Sequence, residues 1–232
     1  MAERPIHLTP ARSWSGPWSI FSSRRLGRQF ILDEIIRFAT QVNQAAQGAG
    51  GGRGSGLRLL DIGCGERPYE RLFHADYVGV DLNPRPTADA LARAERLPFR
   101  DESFDVAVCT QVLEHVLDPG SVLQETRRVL RKEGLFFLST HGVWLEKHEA
   151  ADYWRWTLDG LTRILTAAGF EILRTASMNP SASLMQLLCF YFPVRWYPVH
   201  TCFNLLGSAL GRTLGPRGPR IYLDHAIVCR KP

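Results

Sequence analysis

The chain has 232 residues, of which 45% are hydrophobic, enough to bury one sizeable α/β core. Its formal net charge of +5 comes from basic residues scattered among acidic ones. Nucleic-acid binding usually leaves a long basic stripe, so a nucleic-acid partner is disfavoured. The five cysteines form neither C-x-x-C spacing nor a cysteine–histidine metal pattern, and no metal site is predicted. An odd number of cysteines favours a reducing compartment. An acid and a proline interrupt the N-terminus where a secretory signal would need an apolar stretch, so a cytoplasmic protein is predicted.

The N-terminal part, residues 1–56, is predicted to hold one helix and a linker. Apolar residues recur at helical spacing between Arg24 and Gln47, which favours an amphipathic helix. The glycine-rich run Gly48–Gly56 can neither pack nor hold a helix, so a flexible linker is expected there. The main domain is therefore expected over residues 57–232.

Strand and helix patterns alternate through residues 57–232. Four apolar runs predict strands at Leu57–Ile62, Tyr77–Val80, Phe104–Cys109 and Leu135–Thr140, and Tyr222–Cys229 is predicted as a final strand. Helices are predicted at Pro119–Arg131, with Gly134 just past its end, and at Leu158–Ala168. This alternation predicts a mainly parallel sheet covered by helices on both faces, with ligands at the carboxyl ends of the strands.

The first predicted strand leads into Asp61–Gly65, where two glycines let the backbone turn sharply beside a ligand at the start of a helix. Asp81 closes the next strand about 20 residues on, where a carboxylate can accept both hydroxyls of a ribose. A dinucleotide fingerprint would have a small residue in place of Pro68, and no Gly-Lys-Ser/Thr motif is present. An acid without a phosphate cradle indicates a nucleoside lacking pyrophosphate, such as S-adenosylmethionine. Taken singly, the turn is equally typical of tight packing and Asp81 of a turn cap, so the inference depends on their combination.

Four groups of residues resemble the small-molecule class I methyltransferases, the kind that includes the ubiquinone and menaquinone methyltransferases. They are Leu59–Gly65, Val80–Asp81, Leu97–Phe99 with Ser103–Asp105, and Leu113–Val116 with Arg128–Arg131. The resemblance runs from about Leu57 to Phe170. It implies a Rossmann-like α/β fold with a seven-stranded, mainly parallel sheet, and S-adenosylmethionine as the methyl donor.

The same resemblance implies which residues contact the cofactor. Asp61, Gly63 and Gly65 would line its methionine part, Asp81 would hold the ribose, Leu82 would flank the adenine, and Gln111 would lie under the sulfonium end. The family often has Asp where this chain has Arg93, so the adenine contact passes to Glu95 or to backbone amides. Cys64 and Arg96 complete the predicted cofactor set.

The acceptor side is predicted to follow the fourth strand. His141 comes directly after it and is predicted to be catalytic, as a base if the acceptor is a hydroxyl. Tyr153 is the second predicted catalytic residue, and the predicted acceptor contacts are His148, Asp152 and Arg155. The alternative, weighted equally, is that this aromatic segment packs and that Thr157 caps the following helix.

Ser183–Leu210 is rich in Leu, Phe, Tyr and Trp, but prolines and an arginine interrupt it, so it contains no uninterrupted apolar run long enough to span a membrane. Residues 178–218 are therefore predicted to be an inserted segment. We favour a lid over the acceptor pocket, and the alternative is a surface lying in a bilayer interface as a peripheral contact.

The sequence predicts methyl transfer from S-adenosylmethionine to a small-molecule or lipid-like acceptor. The alternative is a catalytically silent S-adenosylmethionine-binding interaction module. Methylation of nucleic acid or protein is disfavoured, because the fourth strand continues as Thr140–Gly142 and lacks the Asn/Asp-Pro-Pro-aromatic loop typical of base amine methylation.

Overall fold

The computed structural model describes residues 25–48, 56–145, 151–192, 196–214 and 221–232. The helices in these ranges are α1 (Arg25–Gly48), α2 (Pro119–Val129), α3 (Leu158–Ala167), α4 (Pro180–Tyr191) and α5 (Tyr197–Leu214). The strands are β1 (Arg58–Ile62), β2 (Asp76–Asp81), β3 (Ala90–Leu91), β4 (Phe104–Thr110), β5 (Leu130–His141), β6 (Glu171–Ser177) and β7 (Asp224–Arg230).

The seven strands form one sheet in the order β3-β2-β1-β4-β5-β7-β6. Strands β1 to β5 pair in parallel, and β7 runs antiparallel to both of its neighbours, β5 and β6. This confirms the predicted Rossmann-like class with a seven-stranded, mainly parallel sheet. The strand order reverses between β1 and β4, and open α/β sheets bind ligands at such a switch point.

Helices cover both faces of the sheet, as predicted. On one face Val122 and Leu123 of α2 and Leu161 and Leu165 of α3 are fully buried in the larger core cluster. On the other face α1 buries Ile35, Phe38 and Val42 against β1, β4 and β5. Each such side chain contributes roughly 1.5–3 kcal/mol when removed from water. The helix predicted to precede the domain therefore packs into the core of that domain.

Several element bounds differ from those predicted. Helix α2 stops at Val129, because Leu130 already has extended dihedrals and begins β5. Gly134, predicted to end that helix, lies within β5, where a Cβ would come 3.2 Å from the Asp105 backbone oxygen. The glycine turn after β1 leads into a single 3₁₀ turn, Glu70–Leu72, in place of the expected α-helix. The short β3 and the half-exposed β6 carry no apolar run, so sequence periodicity did not reveal them.

The apolar segment near the C-terminus forms a helical hairpin. Helices α4 and α5 pack on each other and against the first turns of α1, and a third apolar cluster joins Leu26, Met178 and Met185. A Cβ added at Gly207 of α5 would lie 2.9 Å from Leu26, so the helices approach closely there. Across the described ranges, no helix combines the length and the hydropathy that crossing a bilayer requires.

Candidate active site

The turn after β1 has a conformation that only glycine adopts readily. Gly63 and Gly65 have φ angles of +72° and +51°. A Cβ at Gly63 would lie 2.2 Å from Val112 Cγ2, which no real side chain tolerates. The amides of Gly63 and Cys64 both donate to the Val80 carbonyl, at 2.9 and 3.0 Å. The turn is thereby fixed against the end of β2.

Asp81, the last residue of β2, joins the turn to the next loop. Its Oδ2 accepts a hydrogen bond from the Gly65 amide at 3.0 Å, and its Oδ1 accepts one from the Asn83 amide at 2.9 Å. Arg85 Nε lies 3.5 Å from Oδ2. The carboxylate is thus fixed at the carboxyl edge of the sheet, in the position predicted from the sequence.

Two cavities meet at this turn. The first, which we call the β2 cavity, has a volume of about 610 Å³ and includes Asp81, Leu82, Glu95, His115 and Tyr153 in its lining. The second, the β5 cavity, has a volume of about 380 Å³ and includes Arg28, Tyr69, His141, Trp144 and Asp224 in its lining. Gly63, Gly65 and Gln111 line both cavities. Both volumes lie in the range typical of small-molecule sites, and their shared wall suits one ligand reaching from one cavity to the other.

Gln111, at the junction of the two cavities, has a strained backbone. Its φ of +56° is unusual for a residue other than glycine, and strain of this kind clusters at functional sites. The Gln111 amide donates to the Ser139 carbonyl at 2.8 Å, which holds the backbone in place. Its side-chain Oε1 is buried and accepts no hydrogen bond from the described residues. A buried amide oxygen of this kind favours a ligand at the junction.

His141 lies in the β5 cavity between two buried carboxylates. Its Nδ1 is 2.8 Å from Asp224 Oδ1, and its Nε2 is 3.3 Å from Glu114 Oε1. Thr140 Oγ1 donates to the other oxygen of Glu114 at 2.9 Å. The Nδ1–Asp224 contact is a hydrogen bond, whereas the Nε2–Glu114 contact is a close approach of the ring to a second buried carboxylate. Asp224 therefore fixes the orientation of the His141 ring in the wall of the cavity.

The outer wall of the β5 cavity comes from α1 and from the residues after β5. Trp144 stacks on the His141 ring with centroids 4.3 Å apart and an interplanar angle of 5°. The first turn of α1 lies close to Asp224, since a Cβ at Gly27 would be 2.9 Å from Asp224 Oδ2. Gln186 of α4 holds this turn, because its side-chain oxygen accepts hydrogen bonds from the Leu26 and Gly27 amides at 3.0 and 3.2 Å.

Asp61 and Cys64, both predicted to contact the cofactor, take different positions. Asp61 is buried behind the turn, where the Tyr77 hydroxyl donates to its Oδ2 at 2.6 Å, and it is not among the residues that line either cavity. Burial raises the pKa of Asp61 to about 7, although the Tyr77 hydrogen bond opposes this shift. Cys64 lines the β5 cavity, and burial raises the pKa of its thiol to about 11, so it stays protonated near neutral pH.

The other predicted residues fall into separate groups. Leu82, Glu95 and Tyr153 line the β2 cavity, so the two predicted catalytic residues, His141 and Tyr153, line different cavities. The backbone amide of Arg96 donates to the Arg93 carbonyl, and Arg96 is not among the lining residues.

Asp152 and Arg155, predicted to contact the acceptor, form a two-pronged ion pair with both N–O distances at 2.6 Å. The Arg155 guanidinium also donates to the carbonyls of Trp144 and Leu145, which braces the segment after β5. Neither residue is among those that line the two cavities. His148 lies outside the described residues.

Sequence reasoning missed Arg28, Tyr69, Trp144 and Asp224 of the β5 cavity. These residues lie on α1, after the glycine turn, after β5 and on β7, and no local motif links them. The only signal was positional, since residues 144 and 224 flank strand ends at the carboxyl edge of the sheet.

A glycine turn after β1, an acidic residue ending β2 and a 3-2-1-4-5-7-6 sheet with one antiparallel strand together define the class I methyltransferase fold. Residues 60–138 match the family described as a methyltransferase domain. Residues 60–138 are thus similar to a methyltransferase domain, and the fold around them is the one that the sequence resemblance implied.

Curated relatives share this domain. The ubiquinone biosynthesis O-methyltransferase of Ruegeria pomeroyi is 33% identical over 158 residues, covering 54% of this chain and 61% of the relative. The protein of the same name from Cereibacter sphaeroides is 42% identical over 103 residues, covering 37% of this chain and 41% of the relative. The chain thus matches about half the length of these relatives.

Solved structures share the fold at lower identity. An S-adenosylmethionine dependent methyltransferase from Mesorhizobium loti has 18% identity and a TM-score of 0.51, over 75% of this chain and 91% of that one. The 4+2 cyclase SpnF has 20% identity and a TM-score of 0.51, over 76% of this chain and 75% of that one. At these identities the likeness concerns the fold alone, and the cyclase illustrates that one fold hosts different chemistries.

Proposed function

We propose that this protein transfers a methyl group from S-adenosylmethionine to a small-molecule acceptor. The observation that carries the proposal is the hydrogen bond between the Gly65 amide and Asp81, which fixes the glycine turn and the carboxylate together at the mouth of the β2 cavity. This arrangement suits a ribose with no phosphate attached. The names of the O-methyltransferase relatives described above support the same activity.

The residues of the β2 cavity fit the proposed cofactor. Asp81 would accept the ribose hydroxyls, and Leu82 and Tyr153 would flank the adenine. The unsatisfied Gln111 oxygen would face the sulfonium end, where a partial negative charge favours a cation. When bound, the cofactor supplies an electrophilic methyl group with a neutral thioether as its leaving group.

The acceptor would occupy the β5 cavity. Methyl transfer is an in-line displacement, so holding the acceptor against the junction at Gln111 supplies much of the acceleration. The stacked Trp144, together with Ile31 and Tyr69, offers apolar walls that suit an aromatic or lipid-like acceptor. The α4–α5 hairpin would support this wall from behind, through its contacts with α1 and Trp144.

We propose that the group formed by Glu114, His141 and Asp224 accepts the proton that the acceptor loses. A hydroxyl acceptor loses its proton as the new carbon–oxygen bond forms, and the buried imidazole between two carboxylates can take it. His141 would act as the base through Nε2, and Asp224 would hold its ring in the wall of the cavity by accepting a hydrogen bond from Nδ1. The names of the O-methyltransferase relatives support oxygen as the methylated atom.

The unpaired state of all five cysteines supports a reducing, cytoplasmic location.

Isothermal titration calorimetry with S-adenosylmethionine and S-adenosylhomocysteine tests the proposal directly. We expect both to bind at micromolar to low millimolar concentration, while ATP and NADH give no heat. Binding of ATP or NADH in place of these ligands would overturn the cofactor assignment. Binding without turnover on any panel of phenols, quinols and other hydroxylated acceptors would favour the silent interaction module.

A further inference from the structure

The outer face of α5 is apolar although it faces solvent. Its exposed residues recur at helical spacing, and at 100° per residue they fall within about one third of the helix circumference. They are Pro198, Cys202, Leu205, Leu206, Ala209 and Arg212. Leu205 and Leu206 are 56% and 43% exposed, and the stripe meets its first charged side chain only at Arg212.

The exposed face of α1 shows the ordinary pattern by contrast. It carries Gln29, Asp33, Arg37, Gln41 and Gln44, with Ile36 as an isolated apolar residue. Single exposed apolar residues need no explanation, whereas a continuous stripe marks an interaction surface. The exposed face of α5 therefore differs from that of α1 in carrying a continuous apolar stripe.

Aromatic residues continue this surface at the tip of the hairpin. Tyr191, at the end of α4, is 89% exposed, and Trp196, just before α5, is 51% exposed. Leu184 of α4 is exposed as well and lies two turns before Tyr191 on the same side of the helix. Tyrosine and tryptophan are the side chains enriched where a bilayer meets water.

The charge of this region has one sign. The sequence from Pro180 to Leu223 contains no Asp or Glu, but it contains Arg195, Arg212, Arg217 and Arg220. Elsewhere in the chain acidic and basic residues are interspersed. Arg212 lies at the end of the described stripe, and a basic residue beside an apolar helix face favours an anionic lipid surface, because it is attracted to the headgroups.

We propose that the outer face of the α4–α5 hairpin binds the surface of an anionic lipid bilayer. The helices lie in the interface, in keeping with the finding that no described helix is suited to cross it. The inner side of the hairpin holds the first turn of α1 through Gln186 and packs Phe190 on Trp144, with ring centroids 5.1 Å apart. The bound bilayer would thus lie next to the wall of the β5 cavity. If the proposed function holds, an acceptor dissolved in the membrane has a short path to that cavity.

Vesicle flotation tests the binding without reference to catalysis. The full chain is mixed with vesicles of phosphatidylcholine alone or of phosphatidylcholine and phosphatidylglycerol in equal amounts. We expect binding to the mixed vesicles, weaker binding to the neutral ones, and weakening of the electrostatic part at high salt. Absence of binding to the mixed vesicles would overturn the proposal, whatever the outcome of the cofactor titration.

Matched variants locate the surface. Leu205→Glu should weaken partitioning into mixed vesicles roughly ten- to a hundredfold, because it removes an apolar side chain from the interface and adds a repelled charge. Tyr191→Ser, at a nearly fully exposed position, should weaken it without affecting the fold. Ile36→Glu makes the same kind of change at an exposed position of α1, outside the α5 stripe, and should bind like the unmodified chain.

An equal loss of vesicle binding in Ile36→Glu and Leu205→Glu would show general electrostatic repulsion and would contradict the assigned face.

Light scattering tests whether the stripe is instead a contact between two copies of the chain. A dimer that Leu205→Glu dissociates would identify the stripe as a contact between two copies of the chain and would overturn the lipid proposal. Thermal melts of each variant confirm that the fold is retained before these comparisons are made.

Discussion

The two cavities that meet at the glycine turn are built in opposite ways. The β2 cavity is lined largely by residues from one stretch, 62 to 117, which holds β2, β3 and the loops around them. The β5 cavity draws its lining from α1, the glycine turn, the end of β5 and the start of β7, so its residues are close in space but far apart in the chain. The first is thus fixed by local turns, and the second by tertiary packing.

The charges of the two cavities differ as well. Asp81 in the β2 cavity is bound by backbone amides and by Arg85 at the edge of solvent, which suits the recognition of a polar ligand. The β5 cavity places His141 and Asp224 against Glu114 in nearly complete burial. Under the proposed function, cofactor binding belongs to the first cavity and proton transfer to the second.

The largest expected effect separates catalysis from binding. His141→Ala should lower turnover by roughly 10²–10⁴, because a hydroxyl acceptor loses its base, while the affinity for S-adenosylmethionine stays within a fewfold. Steady-state rates and calorimetry on the same preparation provide the measurement. The matched control is His74→Ala, an exposed histidine before β2 at the opposite edge of the sheet, which should change neither quantity. Full turnover in His141→Ala would show that proximity alone drives the reaction.

Asp61 should make the stability of the protein depend on pH. Burial raises its pKa to about 7 in the folded chain, against about 3.9 in an unfolded one. As pH rises from about 4 to 7 the unfolded state loses this proton first, so the free energy of unfolding should fall by about 4 kcal/mol at most. Asp61→Asn should flatten this part of the curve in urea melts.

Tyr77→Phe serves as the companion variant to Asp61→Asn. The Tyr77 hydrogen bond lowers the pKa of Asp61, so its removal should extend the pH-dependent range upward. Parallel stability curves for the unmodified chain and for Asp61→Asn between pH 4 and 7 would contradict the shift.

The difference between the cavities also explains what the sequence could predict. The glycine turn and Asp81 follow strand ends within a short stretch, so spacing placed Asp81, and the family resemblance placed Leu82 and Glu95, in one site, and all three line the β2 cavity. His141 could be placed at the sheet edge because it follows a clear strand. Its neighbours could not, since Asp224 reaches it only through the antiparallel pairing of β7 with β5.

The segment after β5 shows where residue type misleads. Asp152 and Arg155 have the chemistry expected of acceptor contacts, and they satisfy each other in an ion pair that braces the chain.

Helical periodicity predicted the position of α1 in the sequence but not its role in the fold, because an amphipathic face does not reveal which sheet it covers. Packing of Phe38 on Phe137, with ring centroids 5.4 Å apart, made α1 part of the domain.

Asp81→Ala should weaken the affinity for S-adenosylmethionine by roughly 10²–10³, because two charge-assisted hydrogen bonds to the ribose are lost. Calorimetry measures the change, and the matched control lies on the same strand. Asp76, at the other end of β2, is exposed and pairs with Arg58, so Asp76→Ala should bind the cofactor normally. Equal affinities in both variants would show that Asp81 serves only to hold the turn through Gly65.

The smallest expected effect concerns the adenine end of the β2 cavity, where Arg93 replaces the acid typical of the family. Glu95 lines this cavity and pairs with Arg93 at 3.3 Å, an ion pair whose arginine is exposed. Glu95→Gln should weaken cofactor affinity about two- to tenfold, because the neutral amide still accepts a hydrogen bond from the adenine amino group but without charge assistance. Arg96→Gln, at the neighbouring residue outside the lining, is the control and should leave affinity unchanged.

Arg93→Asp should raise the affinity for S-adenosylmethionine, since it places a second carboxylate near the adenine. A loss in Arg96→Gln that matches the loss in Glu95→Gln would instead indicate that the loop as a whole, and no single carboxylate, positions the adenine.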